Sequence, residues 1–267
     1  MRIDHHADIE PMQKPQAQPL KAQPVDFKLS LPDHSSINMI LIPAGNFIMG
    51  DDEGYSYENP AHDVFLEAFY ISKYLITNAE CRLFVQDTDH PLPKWRDGVM
   101  PPALEKHPVV SISWHGAMTY CEWLSRVSGQ LVRLPTEAEW EKAARGTDAR
   151  KYPWGSEWDR TKCNTLESGI EAPTPIGFYS PRGDSPYGCV DMTGNVWEWT
   201  LSEWKSYPYQ ADDGRNNPDG DAARVVRGGS WDSGQRGARC ASRLPAQHNH
   251  RFGDVGFRVV VSPHSHK

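Results

Sequence analysis

The segment RLPTEAEWEKAARG, residues 133–146, carries its own start and stop signals. Thr136 is an N-cap residue and Glu139, three positions on, completes a capping box, so the backbone N–H groups that open a helix find acceptors at once. Gly146 can take the left-handed conformation that ends one. Outward on the N-terminal side, two further helices are predicted. Ser113 caps WHGAMTYCEWLSRV, where Ala117, Met118, Cys121 and Leu124 recur at helical spacing. Thr77 with Glu80 caps a shorter helix running to Val85, with Cys81 and Phe84 on its apolar side. Before these, INMILIPAGNFIMG reads as strands at Ile37–Ile42 and Asn46–Met49 about a Pro-Ala-Gly turn, and HDVFLEAFYISKYLIT as another strand pair. After residue 146 the chain reads as short strands, turns and loops to a last strand in GFRVVVS. Together these give one compact α+β domain over residues 37–261, with an N-terminal tail at 1–36 and a C-terminal tail at 262–267.

Composition narrows the function. A formal charge of -7 over 267 residues argues against a general nucleic-acid binder, which needs a basic face. Arg236, Arg239, Arg243, Arg251 and Arg258 do form a local basic cluster in sequence, read first as structural arginines paired with carboxylates. No apolar run reaches the ~18 residues of a membrane span and the start of the chain lacks a signal-peptide core, so the expectation is a soluble, cytoplasmic protein. Five cysteines, an odd number without a CxxC, fit neither a zinc ribbon nor a fully paired disulfide frame.

Seven ordered blocks then identify a resemblance. IPAGNFIMG (42–50), HPVVSISWHGAMTYCEWL (107–124), RLPTEAEWEKAARG (133–146), YPWG (152–155), YGCVDMTGNVWEWT (187–200), RVVRGGSW (224–231) and GFRVV (256–260) resemble the sulfatase-modifying-factor family, the formylglycine-generating enzyme domain. The resemblance implies a fold related to the C-type lectin domain, poor in regular structure and supported by calcium. By the same resemblance the calcium ligands are Asp191, the carbonyls of Gly194 and Val196, and Glu198, with a second site beginning at Asn164 and Thr165 whose completing acidic loop is shortened here. Two carboxylates bracketing a glycine turn do offer the hard oxygens that Ca²⁺ takes. It further implies that Cys121 and Cys240 lie close together, as a disulfide or as two thiols.

The family's aerobic enzymes hold copper(I) with two cysteines after the Gly-Gly-Ser motif. Here the first position is Ser233, and the shortened segment 234–238 holds no cysteine. Hydroxyl and amide groups do not replace soft thiolates, so no copper is expected. Trp197 and Ser230 match groove-lining positions of the enzymes and are retained. The readings that follow are a module binding a peptide, protein or small molecule, a role served in retroelement variable proteins by this same region, or an oxidoreductase of a pyoverdine-maturation or nitrite-reductase-accessory branch; formylglycine generation is the weakest. The expected ligand contacts are Trp197, Ser230, Trp231, Asp232, Ser233, Gln235, Arg236, Arg239, His248 and His250. A strand through QHNHRFGD would put His248 and His250 on one side, a pattern that suits solvent-facing residues or two metal ligands. The sulfoxide-synthase relatives carry a helical domain ahead of this one, and the roughly 36 residues that precede it here lead to the expectation that such a partner is absent.

Overall fold

A computed structural model describes residues 26–262 apart from 89, 91–94 and 96–98. Helix α1 spans Asn78–Thr88, α2 Trp114–Ser128 and α3 Glu137–Arg145. Their caps are those the sequence announces. Thr136 Oγ1 accepts the Glu139 N–H at 3.2 Å while a Glu139 carboxylate oxygen accepts the Thr136 N–H at 2.8 Å. Ser113 Oγ accepts from Gly116 N–H at 3.2 Å, and Gly129 closes α2 at φ +68°. None of the described helices is long and apolar enough to cross a membrane.

Strands β1 (Asp26–Ser30), β2 (Ser36–Ile42), β5 (Phe69–Ser72), β6 (Val132–Arg133) and β11 (Val260–Val261) form one sheet in the order β1-β2-β5-β11-β6. A second sheet runs β10 (Val255–Gly256), β7 (Trp197–Glu203), β8 (Arg224–Arg227), β9 (Arg243–Ala246), and β3 (Gly45–Met49) pairs with β4 (His62–Leu66). The domain therefore starts before Ile37, which shortens the expected tail. Strand β1 pairs antiparallel with β2 from Asp26↔Ile40 to Ser30↔Ser36, and Leu29 and Leu31 are buried in the core. Residues 1–25 and 263–267 of the two expected tails lie outside the described residues.

Both faces of the five-stranded sheet are covered, and the period-2 alternation of its strands assigns side chains to two cores. Ile37, Met39, Tyr70 and Val261 face α1 and α2, packing with Phe84, Tyr120, Cys121 and Leu124. Ile40, Ile42, Phe69, Ile71 and Val260 face α3, packing with Trp140, Ala143, Cys189 and Cys240. Cys121 and Cys240 thus sit on opposite faces of one sheet, and both are free thiols. The adjacency implied by resemblance is corrected, since a disulfide needs Cα atoms within about 7 Å.

Helix α3 is buried along all nine residues, including Glu137, Glu141, Lys142 and Arg145. Charges removed from water must be paired. Glu141 is held by Arg227 and, at 2.7 Å, by Arg145, and takes the Gly50 N–H at 2.8 Å. Glu137 binds Arg243 Nε at 2.6 Å, lies 3.5 Å from Arg227 and accepts the Tyr207 hydroxyl at 3.1 Å. Lys142 Nζ donates to the carbonyls of Pro43 and Gly45 at 2.7 and 2.9 Å. The arginines Arg239, Arg243 and Arg258 of the sequence cluster are, as read, ion-paired with carboxylates.

Replacing Glu141 by Ala leaves buried Arg145 without its carboxylate and Arg227 with only Glu137 at 3.5 Å, and should cost about 3–5 kcal/mol in urea unfolding. Replacing Glu53, whose pair with Lys151 is exposed, should leave the urea midpoint nearly unchanged, and similar losses for both would contradict this account.

Candidate functional site

Strand β8 ends at Arg227, and Gly228 and Gly229 turn the chain with φ of +96° and +76°. A Cβ on Gly228 would stand 2.9 Å from the Trp140 ring, so the turn closes directly on α3. Ser230 follows, fully buried, its N–H donating to Ser233 Oγ at 3.0 Å and its hydroxyl to an Asp254 carboxylate oxygen at 3.0 Å. Residues 233–238 then fold into tight turns, tied down by Gly237 N–H to Gly234 carbonyl at 2.8 Å and by the Gln235 N–H to Glu167 at 2.7 Å.

This arrangement opens a groove of about 460 Å³ lined by Tyr55, Tyr57, Trp197, Ser233, Gln235 and Arg236, among others. Of the residues proposed from the sequence as ligand contacts, the structure brings Trp197, Ser233, Gln235 and Arg236 together in this one groove. Ser230 lies beneath Ser233, the two hydroxyl oxygens 3.3 Å apart. Asp232 is exposed and Trp231 half-buried beside the groove, outside its lining. Tyr55 and Tyr57 were not expected. Their rings stack at 5.2 Å, and the Arg236 guanidinium lies 4.1 Å over Tyr55. The signal was present in GYSYENP, where alternate tyrosines break a polar loop.

Three further expected contacts lie outside this groove's lining. Arg239 directs its guanidinium at Asp51 (2.7 Å) and Glu58 (2.8 Å) and is largely buried, so it fastens the 51–58 loop that delivers the tyrosines. His248 and His250 sit in a turn after β9, closed by the His250 N–H on the Gln247 carbonyl at 3.0 Å, and not on a strand. Neither lines the groove: His248 faces His115 across 2.9 Å, and His250 packs edgewise on Phe252.

A calcium ion can be tested against the donors present. Asp191 is buried, takes the Gly177 N–H at 2.8 Å, and its carboxyl is raised to about 6, first by burial and in part by the charge of Glu198. A buried carboxylate so raised is short of a cation, and Asp191 with the nearby carbonyls suits a hard one. Glu198 already gives both oxygens to Arg258, at 2.6 and 2.8 Å, so an ion there shares it. At the second position, the Asn164 side-chain oxygen accepts from Ser168 at 2.9 Å, while the Thr165 hydroxyl is buried without a partner.

Comparison with known proteins places the chain. The sulfatase-modifying factor enzyme 1-like domain matches residues 28–263. The chain is 33% identical to the formylglycine-generating enzyme of Streptomyces coelicolor, over 85% of this chain and 90% of that enzyme. It is 34% identical to the serine/threonine-protein kinase pkn1 of Chlamydia caviae over 83% of this chain, and spans 37% of that protein's length. The solved structure of PvdO from Pseudomonas aeruginosa superposes with a TM-score of 0.73 at 28% identity, covering 90% of this chain and all of PvdO. The fold expected from the resemblance is the fold found.

All five cysteines are buried. Burial pushes the thiols of Cys81, Cys163 and Cys240 up to about 12 and that of Cys189 to about 11, and raises Cys121 as well. The folded protein at pH 8 should therefore leave Ellman's reagent unreacted and should titrate five thiols only in denaturant, since the thiolate is the reactive form. A thiol that reacts promptly in the native state would contradict this burial.

Proposed function

The chain belongs to the family of the sulfatase-modifying factor enzyme 1-like domain, and within it we propose a ligand-binding or accessory role, with a peptide, protein segment or small molecule held in the Tyr55–Tyr57–Trp197 groove. One observation carries the reading: at the double-glycine turn the groove offers the rings of Tyr55 and Tyr57 beside the mostly buried Trp197, together with serine hydroxyls, an amide and a guanidinium, and no thiol lines it among the described residues. Rings give contact area at low entropic cost and the polar groups orient a ligand. Copper(I), which demands soft sulfur, has no ligand set there. Calcium at Asp191, Glu198 and the carbonyls of Gly194 and Val196 would brace the turn that leads into β7, and its role would be structural.

A second reading, an oxidoreductase of a non-copper branch, draws support from the hydrogen-bonded Ser230, Ser233 and Asp254 beneath the groove. Elemental analysis separates the two: calcium without iron supports the module, and stoichiometric iron supports catalysis. Conversion of a cysteine-containing sulfatase peptide in the presence of copper(I) would overturn the module reading outright.

On a random-peptide array, Tyr55→Ala and Tyr57→Ala should each weaken capture on the order of tenfold, as loss of an aromatic anchor does, with Lys28→Ala as the unaffected control. EDTA should lower the melting temperature, because a metal bound only by the folded state stabilises it by mass action. An unchanged melting temperature would remove calcium from the account. In the chelated protein, the folded Asp191 carboxyl titrates at about 6 against an ordinary 3.8. Its contribution to stability is then full below about pH 4 and is lost as pH rises through about 6. Asp191→Asn should flatten the stability profile across that window.

A further inference from the structure

His115 is the second residue of α2, exposed, and its ring packs edgewise on buried Trp114 at 5.2 Å. His248 stands in the turn after β9, and its carbonyl accepts the Trp114 N–H at 3.1 Å, which fixes that turn on the helix start. The chain thereby brings together two imidazoles 133 residues apart, with His115 Nε2 and His248 Nδ1 2.9 Å from each other and ring planes at 80°.

Two imidazole nitrogens on one ion at bond lengths of about 2.0–2.1 Å lie about 2.9 Å apart when the bonds meet at a right angle. That is the cis arrangement of square-planar and tetragonal ions, the geometry of Cu(II) and Ni(II), whereas tetrahedral zinc would spread the nitrogens further. We propose that His115 and His248 form a two-histidine site for a tetragonal divalent transition ion, Cu(II) or Ni(II), that clips the 247–250 turn to the start of α2.

Ligation needs both rings neutral. Burial first, then the charge of His248 and that of Arg224, hold His115 below the ordinary histidine value, with Asp221 opposing. One of the two facing nitrogens now carries the proton that the other accepts. On binding, that proton passes to the outer nitrogen of its own ring, so no net proton need leave, and each ring turns until the two lone pairs converge on the ion. No group of three or more His, Cys, Asp or Glu that could hold a metal occurs among the described residues, so water completes the shell. The site is thus distinct from the His248–His250 pairing that the sequence suggested.

His5, His6, His264 and His266 can also take such ions, so the test starts from the full chain with these four replaced by Ala. Titration with CuCl2, and separately with NiCl2, should show one ion per chain, and either ion raises the melting temperature. In the same background His115→Ala and His248→Ala should each abolish both responses. The frozen Cu(II) spectrum of the unsubstituted site should carry coupling to two imidazole nitrogens. The circular dichroism of each variant before metal addition confirms that it folds, and His115→Gln serves as a second variant if His115→Ala does not. A background chain that binds no ion, or one whose single ion survives both substitutions, would overturn the proposal.

Discussion

A short, highly charged helix sealed inside the protein is the constraint on which the rest depends. Helix α3 carries Glu137, Glu139, Glu141, Lys142 and Arg145, all of them buried. Their desolvation is tolerable only because partners arrive with good geometry from several distant segments: Arg227 from β8, Arg243 from β9, and backbone groups of residues 43–50 from the β3 region. The pairs act as register pins. Because Arg227 immediately precedes Gly228, the same ion pair that anchors the helix also fixes where the groove's floor begins, and the Gly228 backbone lies against Trp140 of the helix. Arg239 repeats the device at the groove's rim, its bonds to Asp51 and Glu58 holding the tyrosine loop against the 233–238 turns.

Local signals were legible in the sequence and long-range pairing was not. Caps at Ser113 and Thr136 are decided within four residues, so the helices emerged where expected. Strand β1 was missed because DFKLS has one fully buried apolar position and follows a Pro- and Gln-rich stretch; its strand character comes from pairing with β2. The position of Cys240 relative to Cys121 depends on which face of the sheet each meets, which spacing along the chain does not contain. In the groove, Ser233, Gln235 and Arg236 could be read because they follow the glycine turn directly, whereas Tyr55 and Tyr57 come from 180 residues away by way of an ion pair. Arg239 carried two readings, a partner for carboxylates by its charge and a ligand contact by its place after the glycine turn, and its bonds to Asp51 and Glu58 match the first.

The same logic places the sulfur of the chain. Sulfur is present in the chain, but burial keeps every cysteine in the cores, protonated and away from the groove. What lies at the turn is a set of hydrogen-bonding groups beside aromatic side chains.

The order β1-β2-β5 has a consequence for how this domain must be delimited in the laboratory. A truncated chain beginning at Ile37, where the recognisable motifs start, would strip away the outermost strand and leave the β2 backbone from 37 to 40 with its ladder unpaired. An open hydrophobic border of this kind recruits other polypeptides, so such a fragment would precipitate or domain-swap for reasons unrelated to its groove.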